Sequence, residues 1–256
     1  MANSKKILLS FDVEEFDLPL ENGQAIDLAT QLSIGNKGTE AIIPLLNKHN
    51  IATTLFTTAQ YAIHFPEQIR TLAGKHEIAS HTYYHSSFEN KHLLESRLKL
   101  EDISGTMVTG LRMPRMRKVE MEEVKKAGYL YDSSINPTWL PGRYNNLHLP
   151  RCAYKEEGVM RLPASVSPLI RIPLFWLAFK NLPYGVFKAL ALQTLQKDGY
   201  LCLYFHPWEF VEDIRQFSLP SYVVRNAGST LLHKLDKLIT ELKQYGDFVT
   251  IQSFLA

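Results

Sequence analysis

Two histidines four residues apart, His81 and His85, stand about a third of the way along the chain. A pair of carboxylates, Asp12 and Glu14, follows an apolar run close to the start. Together these residues could supply two imidazoles and a carboxylate, a common ligand set for zinc and related ions when one coordination position stays open to water. The combination predicts metal-assisted hydrolysis.

Alternation along an extended strand decides how the two carboxylates share this chemistry. Asp12 and Glu14 point to the same side of such a strand, while Val13 points away. One carboxylate would bind the metal and the other would act as the general base. Glu15 and Asp17 fall on the opposite side and are interpreted as solvated or capping residues.

The two histidines reach a single ion if the residues between them form a helical turn, because positions four apart lie on one face of a helix. His81 and His85 are therefore candidate metal ligands. Histidine pairs at this spacing are also common on protein surfaces, so the spacing alone leaves two solvated side chains as the alternative.

A third histidine, His206, ends the strongly apolar segment 201–205 and precedes Pro207 and Trp208. A histidine partly removed from water can donate a proton to a leaving group, and a carboxylate such as Asp132 could fix its tautomer and raise its pKa. The alternatives are a core histidine at position 206 and a turn or helix cap at Asp132.

One arginine completes the set of candidate residues. Arg112 precedes Met113 and Pro114 in a predicted loop. A guanidinium can pair with a carboxylate through two hydrogen bonds and hold it ionised, which a general base beside a metal requires. An ordinary surface arginine is the alternative.

Short apolar runs alternate with helix-spaced segments, and each polar cluster named above follows a predicted strand. This pattern predicts a parallel α/β barrel, in which loops after the strand ends carry the site. An open doubly wound sheet has the same local pattern, but the glycine-rich loop of a dinucleotide site is missing after the first strand. The predicted strands cover 6–11, 52–57, 77–80, 129–131, 201–205 and 248–251, and the predicted helices cover 39–49, 66–74, 93–104, 119–127 and 230–245.

Composition limits the class of protein. The 256 residues are 45% hydrophobic and 21% charged without a linker or low-complexity run, which predicts a single globular domain over 1–256. The formal charge of +2 argues against a nucleic-acid binder. The apolar run 7–9 is too short for a signal-peptide core, so we expect a cytoplasmic protein.

The segment 168–192 is rich in Leu, Phe, Ile and Trp but is interrupted by charged residues and proline. A membrane-spanning helix needs about 20 mostly apolar residues, so a buried helical segment is the first prediction. Contact with a membrane surface or a lipid-linked substrate is the alternative. A homo-oligomer is expected only because most soluble oligomers are assemblies of identical chains.

Five short motifs, taken in order, resemble those of the polysaccharide deacetylases of carbohydrate esterase family 4. The resemblance implies a distorted (β/α) barrel of about seven parallel strands. It also implies a hydrolase that removes an N-acetyl or related acyl group from an amino sugar with one divalent ion, zinc first, with cobalt, manganese or iron as alternatives. The motifs are Phe11–Glu14, His81–His85, Arg112–Pro114, Asp132–Ser134 and Leu203–Pro207.

The resemblance also implies a role for each matching position. The family's second aspartate is replaced by Val13, so the carboxylate ligand is assigned to Glu14. The usual aromatic residue after the third motif's proline is replaced by Arg115, whose backbone amide would be an oxyanion donor. The implied roles are general base for Asp12, metal ligand for Glu14, His81 and His85, partner of the base for Arg112, tuning of the acid for Asp132, general acid for His206, and substrate binding for Arg115, Trp208 and Leu203.

The leading hypothesis is a cytoplasmic metal-dependent deacetylase of an amino sugar in a glycan, a nucleotide sugar or a lipid-linked precursor. Two alternatives remain, the first of them because Val13 departs from the common motif. One is a metal-free hydrolase of a small cyclic amide or ureide on the same fold. The other is a catalytically silent protein that binds a glycan at the mouth of the barrel.

Overall fold

Strands and helices alternate along the chain in the computed structural model, which describes residues 5–256. Residues 1–4, part of the segment behind the cytoplasmic prediction, lie outside the described residues. The strands are β1 Lys6–Val13, β2 Thr54–Thr57, β3 Glu77–Ser80, β4 Gly110–Leu111, β5 Tyr131–Asp132, β6 Trp139–Leu140, β7 Tyr144–Asn145, β8 Tyr154–Glu156, β9 Val159–Arg161, β10 Tyr200–Phe205 and β11 Asp247–Phe248. The α-helices are α1 Leu18–Glu21, α2 Leu28–His49, α3 Ala59–His64, α4 Pro66–Ala73, α5 Lys91–Ser104, α6 Met121–Lys126, α7 Trp176–Asn181, α8 Tyr184–Asp198, α9 Ser221–Val224, α10 Ser229–Leu242 and α11 Ile251–Leu255. The 3₁₀ helices cover Pro114–Met116, Pro207–Phe210 and Glu212–Gln216.

One curled sheet organises the structure, with strand order β10-β1-β2-β3-β4-β5-β9-β8 and β11 paired beside β1. Neighbouring strands from β10 to β9 run parallel, and the β8–β9 pair at the edge of this sheet is antiparallel. Strands β6 and β7 form a separate antiparallel hairpin. After β9 the chain reaches β10, where the Ser165 amide donates to the Cys202 carbonyl at 2.9 Å. The expected distorted, mostly parallel (β/α) barrel is confirmed.

The phase of β1 sets the direction of the candidate carboxylates. Ile7, Leu9, Phe11 and Val13 pack in the main core with residues of the surrounding helices. Leu8, one position out of phase with that set, belongs to a second cluster with residues from β2, β3, β5 and β10 inside the barrel. The even-numbered positions therefore face the interior, and the same phase directs Asp12 toward the barrel mouth.

Helix α2 begins eleven residues before the predicted start at residue 39, because its N-terminal half packs against the segments that follow β1 and β10. Asp27 caps the helix by accepting the Thr30 amide at 2.8 Å. A Cβ on Gly35 would lie 2.3 Å from the Glu14 carbonyl, and one on Gly38 would lie 2.3 Å from the backbone of Pro207. Only glycine permits this approach, which holds the segments after β1 and β10 together.

Two other sequence predictions differ from the structure. The last strand ends at Phe248, and Ile251 instead begins α11, capped by Thr250, whose hydroxyl accepts the Ser253 amide at 3.2 Å. Segment 168–192 forms α7 and the start of α8 rather than one buried helix. Across residues 5–256, every helix is too short or too polar to span a membrane.

Candidate metal and catalytic site

Three buried side chains converge where the first and third strands end. Glu14 follows β1 directly, and His81 follows β3 directly. Glu14 Oε2 lies 3.0 Å from His81 Nε2 and 3.2 Å from His85 Nε2. The ligand atoms of the three residues all lie within 4.8 Å of one another, which is a spacing that one metal ion can bridge.

The outer nitrogen of each imidazole has an acceptor of its own. His81 Nδ1 lies 2.7 Å from the Arg112 carbonyl, and His85 Nδ1 lies 2.7 Å from Asp17 Oδ1. These acceptors take the Nδ1 protons, so Nε2 of each ring is left facing the carboxylate of Glu14. Glu14 Oε2 is buried and has no hydrogen-bond donor within residues 5–256. The donor set therefore fits a divalent cation.

Protons compete with a cation for this position. Burial favours the neutral form of His85, but the charges of Glu14 and Asp17 raise its pKa to about 9. Burial also opposes ionisation of Glu14, yet the charge of His85 and the adjacent His81 hold its pKa well below the ordinary value. A cation entering the site would displace protons from these residues.

The residues between the two histidines form a loop and not the helical turn that would place both imidazoles on one face. Thr82 has a φ of +64°, and its carbonyl accepts the Ala59 amide at 3.0 Å. The His85 amide donates to Glu15 Oε1 at 2.9 Å. The condition of a helical turn is therefore not met, but this anchored loop still brings His85 beside His81, with the two rings stacked at 5.6 Å between centroids.

Glu15 and Asp17, interpreted from the sequence as solvated or capping residues, are not solvated, and Asp17 stands at the N-cap of α1 without a capping hydrogen bond from its side chain. Both are buried at 2% exposure. Glu15 Oε2 accepts the Thr58 hydroxyl at 2.7 Å, and Asp17 orients His85. The two-residue alternation stops applying because β1 ends at Val13. The density of four carboxylates within residues 12–17 is the sequence signal that could have revealed them.

The side chain of Arg112 is fully buried and holds Asp12. Its NH1 donates to Asp12 Oδ1 at 2.7 Å, and its NH2 donates to the Ser133 hydroxyl at 3.0 Å. The guanidinium lies 4.0 Å from the ring centre of Phe56 and 4.9 Å from that of Tyr204. Burial opposes the charge, but Asp12 outweighs it and raises the pKa of Arg112. The predicted contact between this arginine and the candidate base is present.

His206 faces the same carboxylate from the other side. Its Nε2 lies 3.8 Å from Asp12 Oδ2, and its Nδ1 lies 3.2 Å from Glu209 Oε1. The ring stacks on Trp208 with centroids 4.8 Å apart and meets the edge of Trp176 at 5.0 Å. Burial alone would lower the pKa of His206, but Glu209 and the nearby carboxylates raise it.

The predicted role of Asp132 beside His206 is contradicted by its partners. Asp132 accepts both the amide and the hydroxyl of Ser134, and its Oδ2 lies 3.0 Å from Arg161 Nε. The cause is strand register, because Asp132 on β5 pairs directly with Arg161 on β9. The Ser134 hydroxyl in turn accepts the Met113 amide at 2.7 Å, so Asp132 supports the loop after β4.

A cavity of about 490 Å³ opens above these groups, which is within the range of small-molecule sites, roughly 300–1,000 Å³. Of the three residues expected to bind substrate, Arg115 and Trp208 line this cavity and Leu203 does not. Leu203 is 1% exposed and packs in the main core, because alternation along β10 turns its neighbour Tyr204 to the cavity instead. The cavity lining includes Asp12, Glu14, His85, Arg115, Met116, Arg143, Tyr144, Trp176, Tyr204, His206 and Trp208.

Arg115 extends the network around the metal ligands. It has a φ of +58° and Met116 has one of +53°, two successive left-handed residues directly after Pro114. Its NH2 donates to Asp17 Oδ2 at 2.8 Å, and its Nε donates to Glu21. Through Asp17, Arg115 is linked to His85, so the residue that replaces an aromatic in the third motif supports a candidate metal ligand.

A comparison with protein-family models matches the part of the chain that carries Asp12, Glu14, His81, His85 and Arg112. Residues 2–131, just over half of the chain, match the family description "Polysaccharide deacetylase". The chain belongs to the polysaccharide deacetylase family. This is a family of hydrolases that act on carbon–nitrogen amide bonds of acylated amino sugars with a metal ion. No protein of curated function matches the chain.

Solved structures show the fold over the whole chain. A protein from Mycobacterium smegmatis assigned as a polysaccharide deacetylase superposes with a TM-score of 0.66 at 19% identity, covering 100% of this chain and 90% of its own. Puue allantoinase gives 0.65 at 15% identity, with 98% and 89% covered. A carbohydrate esterase family 4 pseudoenzyme from Bacillus anthracis gives 0.55 at 13% identity, with 100% and 67% covered. At these identities, the likeness concerns the fold alone.

Proposed function

We propose that this polysaccharide deacetylase is a metal-dependent hydrolase that removes an N-acetyl or related acyl group from an amino sugar. The observation that carries the proposal is the position of Glu14 Oε2, a buried atom without a donor that faces Nε2 of His81 and His85. The substrate class is an acylated amino sugar in a glycan, a nucleotide sugar or a lipid-linked precursor. Membership of the polysaccharide deacetylase family supports an amide as the bond that is cleaved. The volume of the cavity is consistent with a sugar-sized ligand.

Glu14, His81 and His85 would hold one divalent ion. Zinc is the first choice, because two imidazoles and a carboxylate with an open position are typical of catalytic zinc; cobalt, manganese and iron tolerate the same ligands. When bound, such an ion polarises the acyl carbonyl and makes water more acidic. Asp17 and the Arg112 carbonyl would orient the two imidazoles through their Nδ1 atoms.

Asp12 would act as the general base and take a proton from the attacking water. Its Oδ1 is occupied by Arg112 at 2.7 Å, so Oδ2 is the oxygen left to accept that proton. The buried guanidinium keeps Asp12 in place through this hydrogen bond. The water oxygen forms the new bond to the acyl carbon as its proton passes to Asp12.

His206 would act as the general acid. Its Nε2 lies 3.8 Å from Asp12 Oδ2, so both groups border the same point of the cavity. As the carbon–nitrogen bond breaks, Nε2 gives its proton to the leaving amine, which departs as the free amino sugar. The acid and base are separate residues, and no covalent intermediate is required.

Two further residues would contact the substrate. The left-handed backbone at Arg115 supports its amide as an oxyanion donor, a contribution of roughly 3 kcal/mol in comparable sites. Trp208 would provide an apolar wall for a sugar ring, and its indole already donates to Glu14 Oε1 at 3.0 Å. Asp132 would act indirectly through Ser134 and the loop that carries Arg115.

Release of acetate from acetylated amino-sugar oligomers tests the proposal. Wild-type protein should be inactivated by a chelator and reactivated by zinc. Asp12→Asn should lower kcat by roughly 10²- to 10⁴-fold. Glu89→Gln, at a carboxylate paired on the surface with Lys91, is the matched control and should keep wild-type activity. Turnover that survives the chelator would contradict the metal mechanism.

Each of the two alternative functions has a solved structure of the same fold in its favour. Structural likeness to Puue allantoinase supports the metal-free hydrolase of a cyclic amide or ureide. Likeness to the Bacillus anthracis pseudoenzyme supports the silent glycan binder. Hydrolysis of allantoin without metal would favour the first, and glycan binding without turnover of any acyl amide would favour the second.

Contact with a lipid-linked substrate remains a prediction for segment 168–192. Leu169 is 84% exposed and Ile170 is 75% exposed at its start. The loop that carries them lies beside the β6–β7 hairpin, since the Thr138 hydroxyl donates to the Arg171 carbonyl at 2.7 Å, and this hairpin contributes Arg143 and Tyr144 to the cavity lining. Replacing both apolar residues by Ser should weaken vesicle binding if the segment docks on lipid. Homo-oligomerisation also stays a prediction.

A further inference from the structure

Behind His206 lies a pair of opposite charges that the mechanism above does not use. The Lys180 side chain on α7 and the Glu209 side chain in the 3₁₀ helix after β10 are both fully buried. Lys180 Nζ lies 3.0 Å from Glu209 Oε2 and donates to the Val223 carbonyl at 2.7 Å. The pair thus lies inside the protein, directly behind the candidate acid.

The second oxygen of Glu209 is committed to His206. Glu209 Oε1 accepts the His206 backbone amide at 2.8 Å and lies 3.2 Å from His206 Nδ1. The carboxylate therefore has one oxygen on the lysine and the other on the histidine. This arrangement directs Nδ1 of the ring away from the cavity and Nε2 toward Asp12.

Stability alone does not explain a buried ion pair. Removing two charges from water costs several kcal/mol per ion, and replacing such pairs with apolar residues of similar size is often neutral or stabilising. Here the charges also lie in a mostly aromatic environment, with Lys180 Nζ 5.3 Å from the Trp176 ring centre and 5.9 Å from that of Trp208. A role in orienting His206 accounts for keeping them.

We infer that Glu209 and Lys180 are positioning residues for the general acid: Glu209 fixes the orientation of the His206 ring, and Lys180 holds Glu209 in place and ionised. This inference rests on the role proposed for His206 above. It assigns to Glu209 the task that the sequence had given to Asp132, which is committed to Arg161 and Ser134. It also gives a chemical role to Lys180, one of the charged residues that interrupt the apolar segment 168–192.

The charges around His206 are consistent with this assignment. Asp12 and Glu14 face it from the β1 end, and Glu209 faces it from its own 3₁₀ helix. Burial opposes ionisation of Glu209, but Lys180 outweighs it and lowers the pKa of that carboxyl. Tyr204 and the two tryptophans complete the surroundings without adding charge.

A double variant that removes both buried charges distinguishes a role in positioning His206 from a role in stabilising the fold. Lys180→Met with Glu209→Gln removes both charges together and keeps an oxygen that can accept the His206 backbone amide. We expect this double variant to fold with wild-type or greater stability in denaturant titrations, but with kcat lowered about 10- to 100-fold and KM changed less than about 3-fold. The alkaline limb of the kcat profile should move to lower pH, because His206 would lose its proton more readily.

The partly exposed pair Lys188–Glu241, far less buried than Lys180–Glu209 and with the same 3.0 Å separation, is the matched control. Lys188→Met with Glu241→Gln should leave kcat and the pH profile unchanged. A wild-type kcat and pH profile in the buried-pair variant would overturn the inference. Loss of activity that only parallels loss of folded protein would also overturn it, because that result would indicate a structural role.

Histidine NMR gives a readout that does not need turnover. In protein with labelled histidine, assigned with His206→Gln, the pKa of His206 should be lower in the Glu209→Gln single variant than in wild type. Equal titration in the two proteins would contradict the inference. A lowered pKa in a protein that hydrolyses no amide would support the positioning of His206 and refute the proposed function, so the two failures are distinguishable.

Discussion

The indole nitrogen of Trp208 donates a hydrogen bond to Glu14 Oε1 at 3.0 Å. This contact joins residues 194 positions apart, the first belonging to the loop of the candidate acid and the second to the candidate metal site. Because Glu14 Oε1 is held by the indole, Oε2 is the oxygen directed at the two histidines. Trp208 therefore orients the candidate metal ligand Glu14 as well as lining the cavity.

Trp208→Phe should weaken metal binding while keeping the fold. Phenylalanine can still stack on His206 and pack against Phe16, but it cannot donate to Glu14. Loss of a contact that orients a ligand typically costs 10- to 100-fold in metal affinity. Competition with a zinc-binding dye would measure the effect. Trp139→Phe, at a residue 60% exposed, is the control and should bind zinc as the wild type does.

Leu203→Ala should affect stability rather than substrate binding. The side chain is 1% exposed in the main core, so its removal leaves a cavity worth roughly 2–5 kcal/mol of unfolding free energy. The free energy of unfolding, from denaturant titration, and the KM for a substrate that the wild type hydrolyses would both be measured. The control is Leu98→Ala, at a leucine that is 50% exposed on α5. A large KM change with unchanged stability would restore Leu203 as a substrate contact.

His76 should make the fold less stable as the pH falls. Burial, with a smaller effect of Lys75, lowers the pKa of His76 from 6.5 to about 4 in the folded protein. Between these values the unfolded chain binds more protons, so the free energy of unfolding falls as the pH is lowered through this range. The contribution is roughly 2 kcal/mol.

His76→Asn tests that dependence. Asparagine can still accept the Thr53 amide that His76 Nδ1 accepts at 3.3 Å, but it does not titrate. Denaturant titrations at pH 7 and pH 4.5 should show a smaller loss of stability in the variant than in the wild type. An equal loss in both proteins would show that His76 does not contribute.

The sequence was most informative where an element is regular. The strand predicted over 77–80 has the observed bounds of β3, and alternation along β1 correctly directs Asp12 and Glu14 to one side. Beyond Val13 the strand ends, and the same alternation gave the wrong environment for Glu15 and Asp17. Local periodicity holds only while the backbone stays extended.

Partners that depend on tertiary pairing could not be predicted in this way. Asp132 is taken by Arg161 because β5 pairs with β9, a three-residue strand with no clear signal in the sequence. Lys180 looked like a break in an apolar segment, whereas folding places it against Glu209. Both assignments require knowing which strands and helices become neighbours.

Metal content measured by mass spectrometry on protein purified without chelator or metal-affinity resin tests the central claim most directly. Wild-type protein should contain about one equivalent of a divalent metal, and His81→Ala should lose it. His233→Ala, at an exposed histidine on α10, should keep the wild-type content. No bound metal in the wild type, even after reconstitution with zinc, cobalt, manganese and iron, would contradict a metal site formed by Glu14, His81 and His85.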